Sequence, residues 1–241
     1  EENCRVTYAC VQHDDDPEQY RRLLDHAERP GGGVFPQVAI RPPGVLMCLD
    51  ATHPFSERPT YKAIQHLPLA ARVKELKKPE VRAKILGEAL DRSARMVRLL
   101  FIEGKHMKST IADYHRIFWL GDPPDYEPGP ELSMQAIGER EGKSAEAAAY
   151  DCLLERDGKA FLYSPLFNYI EGHYDIARDM MMHPNSILGI SDGGAHCGMI
   201  CDASSPTYLL SHFARDRKRG PLIPLEHAIR MQTHDTAKLY G

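Results

Sequence analysis

The sequence has no apolar run near the roughly 20 residues that a membrane-spanning helix needs, so we expect no membrane partner. It also has little net charge: 30 Lys and Arg against 34 Asp and Glu give −4, which argues against a nucleic-acid partner. Six cysteines are too few for a disulfide framework, and none form the Cys-x-x-Cys spacing of zinc ribbons. No signal peptide opens the chain. We therefore expect reduced thiols and a cytoplasmic location.

The composition, 42% hydrophobic and 27% charged, is typical of a globular protein, and both ends of the chain alternate strands with helices. Residues 6–11 and 34–40 are predicted strands, joined by a helix that Asp16 caps and whose Gln19 closes a capping box. Strand, helix and strand at this spacing predict a parallel crossover unit. The last third repeats the pattern, with strands at 159–163 and 186–190 and helices at 174–182, 205–216 and 224–239.

The middle of the chain is irregular, and we interpret residues 43–130 as an insertion. Its first part is rich in proline and histidine without a clean period. A helix is predicted from 79 to 100, a strand at 114–120 and a proline-rich loop at 121–130. A helix pair at 131–141 and 144–156 follows, with Ser144 as a cap. The basic residues 215–219 are predicted to be a solvated helix end.

The strongest local signal is the segment 187–196, in which an apolar strand ends in Ser191, Asp192 and two glycines. In parallel α/β proteins the carboxyl ends of strands face the active site. A carboxylate there can bind a metal ion and take a proton from water, and the glycines allow a sharp turn close to a ligand. The alternative is that Asp192 caps the next helix or forms a turn.

The segment Ser191-Asp192-Gly-Gly-Ala-His196, followed by Asp202 and Tyr208-Leu-Leu, resembles the last barrel strand of D-aminoacylase-type amidohydrolases. The resemblance extends over nearly the whole chain through weaker pieces. These are Pro36-Gln-Val with Arg41-Pro, His53-Pro-Phe, Pro79-Glu-Val-Arg, Pro165-Leu-Phe-Asn-Tyr169, His183-Pro184, the Leu188-Gly189 strand, residues 225–233 and Ala237-Lys-Leu-Tyr-Gly241.

The resemblance implies a metal-dependent hydrolase with a (β/α)8 TIM-barrel fold that cleaves an amide bond, usually with zinc. The substrate is then a small molecule, an N-acyl-D-amino acid or a similar amide. In the family the strand-end aspartate, which matches Asp192, binds the metal, accepts a proton from the attacking water and passes it to the leaving nitrogen.

Two departures from the family pattern matter. The chain contains no His-x-His pair, which in the family belongs to the first barrel strand, and no β-rich segment follows the last helix. We therefore interpret residues 1–241 as the C-terminal portion of a barrel, a partial barrel whose exposed strand edges favour pairing into a homo-oligomer. A non-catalytic or truncated barrel relative with a structural or interaction role is the alternative, and a dihydropyrimidinase-like enzyme is a third.

Two histidines are further candidates at the site. His13 follows the first strand, where family members carry a metal-binding histidine, although the expected Ser-His is missing. It is either a metal ligand or a loop residue ahead of the helix. His196 either contacts the substrate and polarises its carbonyl, or packs under its own loop.

Arg41, Asn168 and Tyr169 are candidate substrate-binding residues. Arg41 follows a predicted strand, where a guanidinium can hold a carboxylate through two hydrogen bonds; a surface salt bridge is the alternative. Asn168 and Tyr169 also follow a strand and would line the pocket. His53 lies in the irregular region, which is either a lid over the site or ordinary packing.

Overall fold

The computed structural model describes residues 4–28, 33–89, 113–191, 193–194, 199–200 and 202–241. The fold is mixed α/β, and the chain divides into two compact units. The first unit consists of Glu1–Gly44 and Pro165–Gly241, and the second of Val45–Ser164. None of the described helices combines the length and the hydropathy that crossing a bilayer requires.

The strands of the described residues are β1 (Val6–Cys10), β2 (Val34–Ala39), β3 (Gly44–Met47), β4 (Phe118–Trp119), β5 (Leu162–Pro165) and β6 (Ile187–Gly189). The α-helices are α1 (Gln19–Ala27), α2 (Pro59–Ile64), α3 (Leu69–Leu76), α4 (Pro79–Gly87), α5 (Met134–Glu141), α6 (Ala145–Leu153), α7 (Asp175–Met182), α8 (Ser205–Tyr208), α9 (Leu225–Arg230) and α10 (Thr236–Tyr240). A short 3₁₀ turn spans Pro130–Leu132, a left-handed helical turn spans Glu155–Gly158, and π-helical segments span Leu209–Asp216 and Met231–Asp235.

A parallel three-stranded sheet in the order β1-β2-β6 organises the first unit. Val6 pairs with Val34 along β1 and β2, and Val38 of β2 pairs with Leu188 of β6. The chain passes from β1 through α1 to β2, so the predicted parallel crossover is confirmed. Helix α1 buries its apolar face, namely Tyr20, Leu24 and Ala27.

The C-terminal helices complete the first unit around an aromatic core. Tyr174 and Phe213 are fully buried, and their rings stack at 5.7 Å with an angle of 21°. The predicted helix over 205–216 is observed as α8 continued by the π-helical turns to Asp216. The last predicted helix is observed from Leu225 to Tyr240. The three parallel strands form no closed barrel in the part of the chain that the structure describes.

The second unit holds a separate sheet in the order β3-β5-β4, in which β4 runs antiparallel to β5 and Phe118 pairs with Tyr163. Most of the predicted insertion lies in this unit. The predicted strand over 114–120 is reduced to the two residues of β4, since Tyr114–Arg116 form turns. The helix predicted from 79 begins as expected at Pro79, but α4 ends at Gly87, and residues 90–112 lie outside the described part.

Two predicted helix caps have opposite outcomes. Ser144 is confirmed: its hydroxyl accepts a hydrogen bond from the Ala147 backbone N–H at 3.1 Å, satisfying one amide of the first turn of α6. The Asp16 cap is wrong. Helix α1 begins at Gln19 with Glu18 before it, because Asp16 bridges back to His13 and its carboxylate pairs with Arg22.

We expect Ser144→Ala to lower the free energy of unfolding by about 1 kcal/mol, because the N–H of Ala147 loses the side-chain oxygen that accepts its hydrogen bond. Urea denaturation measures the change. Ser211→Ala is the matched control, since the Ser211 hydroxyl only donates to the Thr207 carbonyl on an exposed helix face. Equal midpoints for the two variants would contradict the capping role.

Candidate active site at the sheet edge

The carboxyl ends of β1, β2 and β6 lie at one edge of the first unit's sheet, because the three strands are parallel. Gln12 and His13 follow β1, and Arg41 follows β2 by two residues. The Ser191–His196 motif follows β6 in the sequence. The two predicted catalytic residues, Asp192 and His196, lie outside the described residues.

Arg41 forms a buried ion pair with Asp202. The Arg41 Nε donates to Asp202 Oδ1 at 2.9 Å, and its Nη2 donates to the same oxygen. The side chains are only 1% and 7% exposed, so both charges are almost completely removed from water. The guanidinium that we predicted to hold a substrate carboxylate therefore has a carboxylate of the protein as its partner.

Aromatic rings cover one side of this ion pair. The Arg41 guanidinium lies 5.5 Å from the centre of the Tyr208 ring, at a cation–π distance. Tyr208 in turn stacks on His212 at 4.6 Å with an angle of 13°. Exclusion of water by these rings strengthens the attraction between Arg41 and Asp202.

Asn168 is fully buried and takes a left-handed backbone conformation, with φ of 57°. Its Oδ1 accepts a hydrogen bond from the Gln12 backbone N–H at 2.6 Å, which places it beside the end of β1. Its Nδ2 and the Gln12 Oε1 are both buried without a hydrogen-bond partner among the described residues. Buried polar groups are normally satisfied, so this donor and this acceptor mark a place for a bound water or a polar ligand group.

Tyr169 is also buried, at 3% exposure. Its hydroxyl accepts a hydrogen bond from Arg219 Nη1 at 3.2 Å, and its ring packs edge-on against Tyr174 at 5.4 Å. Tyr169 therefore belongs to the aromatic core of the first unit, next in sequence to the buried Asn168.

His13 lies next to Asn168's segment: its ring packs edge-on against Phe167 at 5.2 Å. It stands three residues past β1, with only partial exposure. Cys10, the last residue of β1, is fully buried, and burial raises the pKa of its thiol to about 11. Cys10 is therefore a neutral thiol at neutral pH. Of the two residues, His13 is the better candidate for a metal ligand at this strand end.

Arg217 corrects the prediction of a solvated basic cluster. Arg215 is exposed, but the Arg217 side chain is fully buried and donates to Asp175 Oδ1 at 2.7 Å and to the Pro221 carbonyl at 3.2 Å. Its guanidinium also lies 5.5 Å from the Phe213 ring centre. Arg217 therefore ties the end of the π-helical segment to the start of α7.

His53 lies in the second unit and is part of its core, with 2% exposure. Its Nδ1 accepts a hydrogen bond from the Phe55 backbone N–H at 3.2 Å, and its ring packs edge-on against Tyr61 at 4.4 Å. Its Nε2 is buried without a hydrogen-bond partner in the described chain and borders a small cavity of about 10 Å³. Burial, reinforced by the nearby Arg72 charge, lowers the pKa of His53 to about 3.

The structure thus brings Arg41, Asn168, Tyr169 and His13 into the first unit, around the carboxyl edge of its sheet. Asp202 is the residue whose role the sequence did not indicate. It belongs to the resembling segment, but nothing in its local pattern points to a partner 161 positions away.

Among the described residues, no three His, Cys, Asp or Glu side chains are grouped to hold a metal ion. Comparison of the chain with models of protein families, with curated proteins and with solved structures finds no match.

Proposed function

We propose that the protein is a metal-dependent amidohydrolase that cleaves a carbon–nitrogen amide bond, with N-acyl-D-amino acids as its substrates. The observation that supports this most is the edge of the parallel sheet at which the three strands end: His13 and Asn168 lie at the end of β1, Arg41 follows β2, and the Ser191–His196 motif follows β6 in the sequence. Such an edge is where parallel α/β enzymes carry their chemistry. Within this proposal the parallel sheet is part of a (β/α)8 barrel.

The residues at this edge fit a zinc site by the type of their donors. An imidazole, His13, follows β1, and a carboxylate, Asp192, follows β6 in the sequence; both are common zinc ligands. When bound, zinc lowers the pKa of a coordinated water to about 7.

The protein's own residues then divide the remaining work. Asp192 accepts the proton of the attacking water and delivers it to the leaving nitrogen. His196 polarises the substrate carbonyl. Asn168 presents its Nδ2 donor at the end of β1, and Tyr169 closes the aromatic side of the pocket. Arg41 has a positioning role, since its buried ion pair with Asp202 connects the segment after β2 to the segment that contains Asp202.

The test is the hydrolysis of N-acetyl-D-leucine by the zinc-loaded protein. We expect Asp192→Asn to lower kcat by roughly 10²–10⁴-fold, because the amide cannot take the proton. Asp179→Asn is the matched control, since Asp179 is an exposed carboxylate on α7. If Asp192→Asn turned over as fast as the wild type, the mechanism would be wrong. Absence of zinc from purified protein together with absence of turnover favours the non-catalytic alternative.

A further inference from the structure

The second unit contains a groove of about 610 Å³ that is distinct from the sheet edge of the first unit. We call it the lysine groove: its floor is Leu69, Ala70 and Val73, and its rim carries Lys74, Lys77 and Lys159. We propose that the lysine groove binds a single-chain amphipathic anion, an acyl chain that ends in a carboxylate. This proposal does not depend on the proposed amidohydrolase activity.

One face of α3 forms most of the groove. Leu69, Ala70 and Val73 lie within slightly more than one turn of the helix, so their side chains form one continuous apolar strip. The volume lies within the roughly 300–1,000 Å³ of small-molecule sites. The strip rises about 6 Å along the helix axis, so it can contact part of a flexible hydrocarbon chain.

The groove is bordered by a left-handed turn, Glu155–Gly158, whose Gly158 packs directly against α3. Arg156, Asp157 and Gly158 have positive φ values of 53°, 56° and 82°. A Cβ on Gly158 would lie 2.5 Å from Val73 Cγ2 and 2.9 Å from Leu49 Cδ1, so only glycine allows this approach. The left-handed conformation is costly at Arg156 and Asp157 but not at Gly158. The turn that these residues form determines the position of Lys159, the next residue in the chain.

The charge of the rim determines the kind of ligand. The residues that line the groove include three lysines and one carboxylate, Asp157, which lies 3.8 Å from Lys77 and is 93% exposed. Lys74 and Lys159 have no ion-pair partner among the described residues. The groove is thus locally positive in a protein of net charge −4. A carboxylate can bind between Lys74 and Lys159 while its chain covers the floor.

The proposal is tested with decanoate below its micellar concentration, by calorimetry and by methyl NMR of Leu69 and Val73 in the full chain. We expect decanoate to bind and to shift both methyl signals. Decyltrimethylammonium, which has the same chain and the opposite charge, and acetate, which lacks the chain, are expected not to. Equal binding of the cation, or binding only to anionic vesicles and not to decanoate, would overturn the proposal.

Two variants separate the rim from the floor. Lys74→Glu with Lys159→Glu is expected to weaken decanoate binding about tenfold or more, because the carboxylate loses its charge-assisted hydrogen bonds. Ala70→Trp fills the groove while keeping its charges and is expected to abolish the methyl shifts. Lys84→Glu on exposed α4 is the matched control and is expected to bind like the wild type. Wild-type affinity in either groove variant rules the site out. Absence of the Leu69 and Val73 methyl shifts in the wild-type protein also rules it out, however the variants fold.

Discussion

Asp202→Asn is expected to lower the free energy of unfolding by about 3–5 kcal/mol, the typical cost of removing one partner of a buried ion pair. The Arg41 side chain is 1% exposed, so its charge would remain in the core without its carboxylate. Its Nε and Nη2 would have a neutral amide oxygen in place of the carboxylate oxygen that they share, which weakens both hydrogen bonds. Urea denaturation with and without the substitution measures the loss.

Two further variants show whether the loss comes from desolvated charge. Arg41→Met combined with Asp202→Leu removes both charges and is expected to recover most of the stability, because no uncompensated charge remains. Glu18→Gln breaks the Arg21–Glu18 pair, whose side chains are 58% and 65% exposed, and is expected to leave the midpoint unchanged. If Asp202→Asn matched Glu18→Gln, the Arg41–Asp202 pair would be as well hydrated as a surface pair.

The same variants bear on the proposed activity. Arg41 follows β2 by two residues and Asp202 follows the Ser191–His196 motif in the sequence, so their pair connects two segments that flank the sheet edge. Since β2 also pairs with β6 through Ala39 and Gly189, the edge is fixed on both sides of the motif. The kcat and KM of a folded Arg41→Met/Asp202→Leu protein, compared with those of the wild type, therefore show the effect of the ion pair on activity separately from its effect on stability.

The elements that the sequence predicted correctly are those whose signals are local. The crossover β1-α1-β2 follows from two apolar runs around an amphipathic helix, and the Ser144 cap follows from a serine just before a helical pattern. The Asp16 cap failed because a turn between His13 and Asp16 competed for the same residues. The charge run 215–219 failed at Arg217 because composition does not show which member of a run faces inward.

The candidate site was predicted only in part, for the same reason. Arg41 and Asn168 could be chosen because each follows an apolar strand. Their partners could not: Asp202 is 161 positions from Arg41, and Gln12 is 156 positions from Asn168. Arg41 meets Asp202 because β2 and β6 are neighbours in one sheet, and Asn168 meets Gln12 because the chain after β5 passes the end of β1. Neither periodicity nor spacing contains that information.

Acidification is expected to destabilise the protein through His53. The folded-state pKa is lowered to about 3, while an unfolded histidine titrates near 6.5. Between these values the unfolded chain binds a proton that the folded chain does not, so stability falls as the pH falls. The slope approaches about 1.4 kcal/mol per pH unit, which gives a loss on the order of 3 kcal/mol between pH 6.5 and pH 4. Above about pH 7.5 both states are almost fully deprotonated, and the group contributes almost no pH dependence.

The hydrogen bonds of His53 explain why the folded protein resists protonation. Because Nδ1 accepts from the Phe55 N–H, the neutral ring carries its hydrogen on Nε2. A second proton on Nδ1 would set two donors against each other and place a charge in the apolar core beside Tyr61 and near Arg72. The Nδ1 position is therefore held as an acceptor by the backbone itself.

His53→Asn tests this account, because the asparagine oxygen keeps an acceptor for Phe55 N–H and does not titrate. We expect the variant to lose stability less steeply than the wild type between pH 6.5 and pH 4, whatever its stability at neutral pH. His66→Asn, at an exposed position of the same unit, is the matched control and is expected to keep the wild-type slope. Parallel pH profiles for wild type and His53→Asn would show that His53 is protonated as readily in the folded protein as in the unfolded chain.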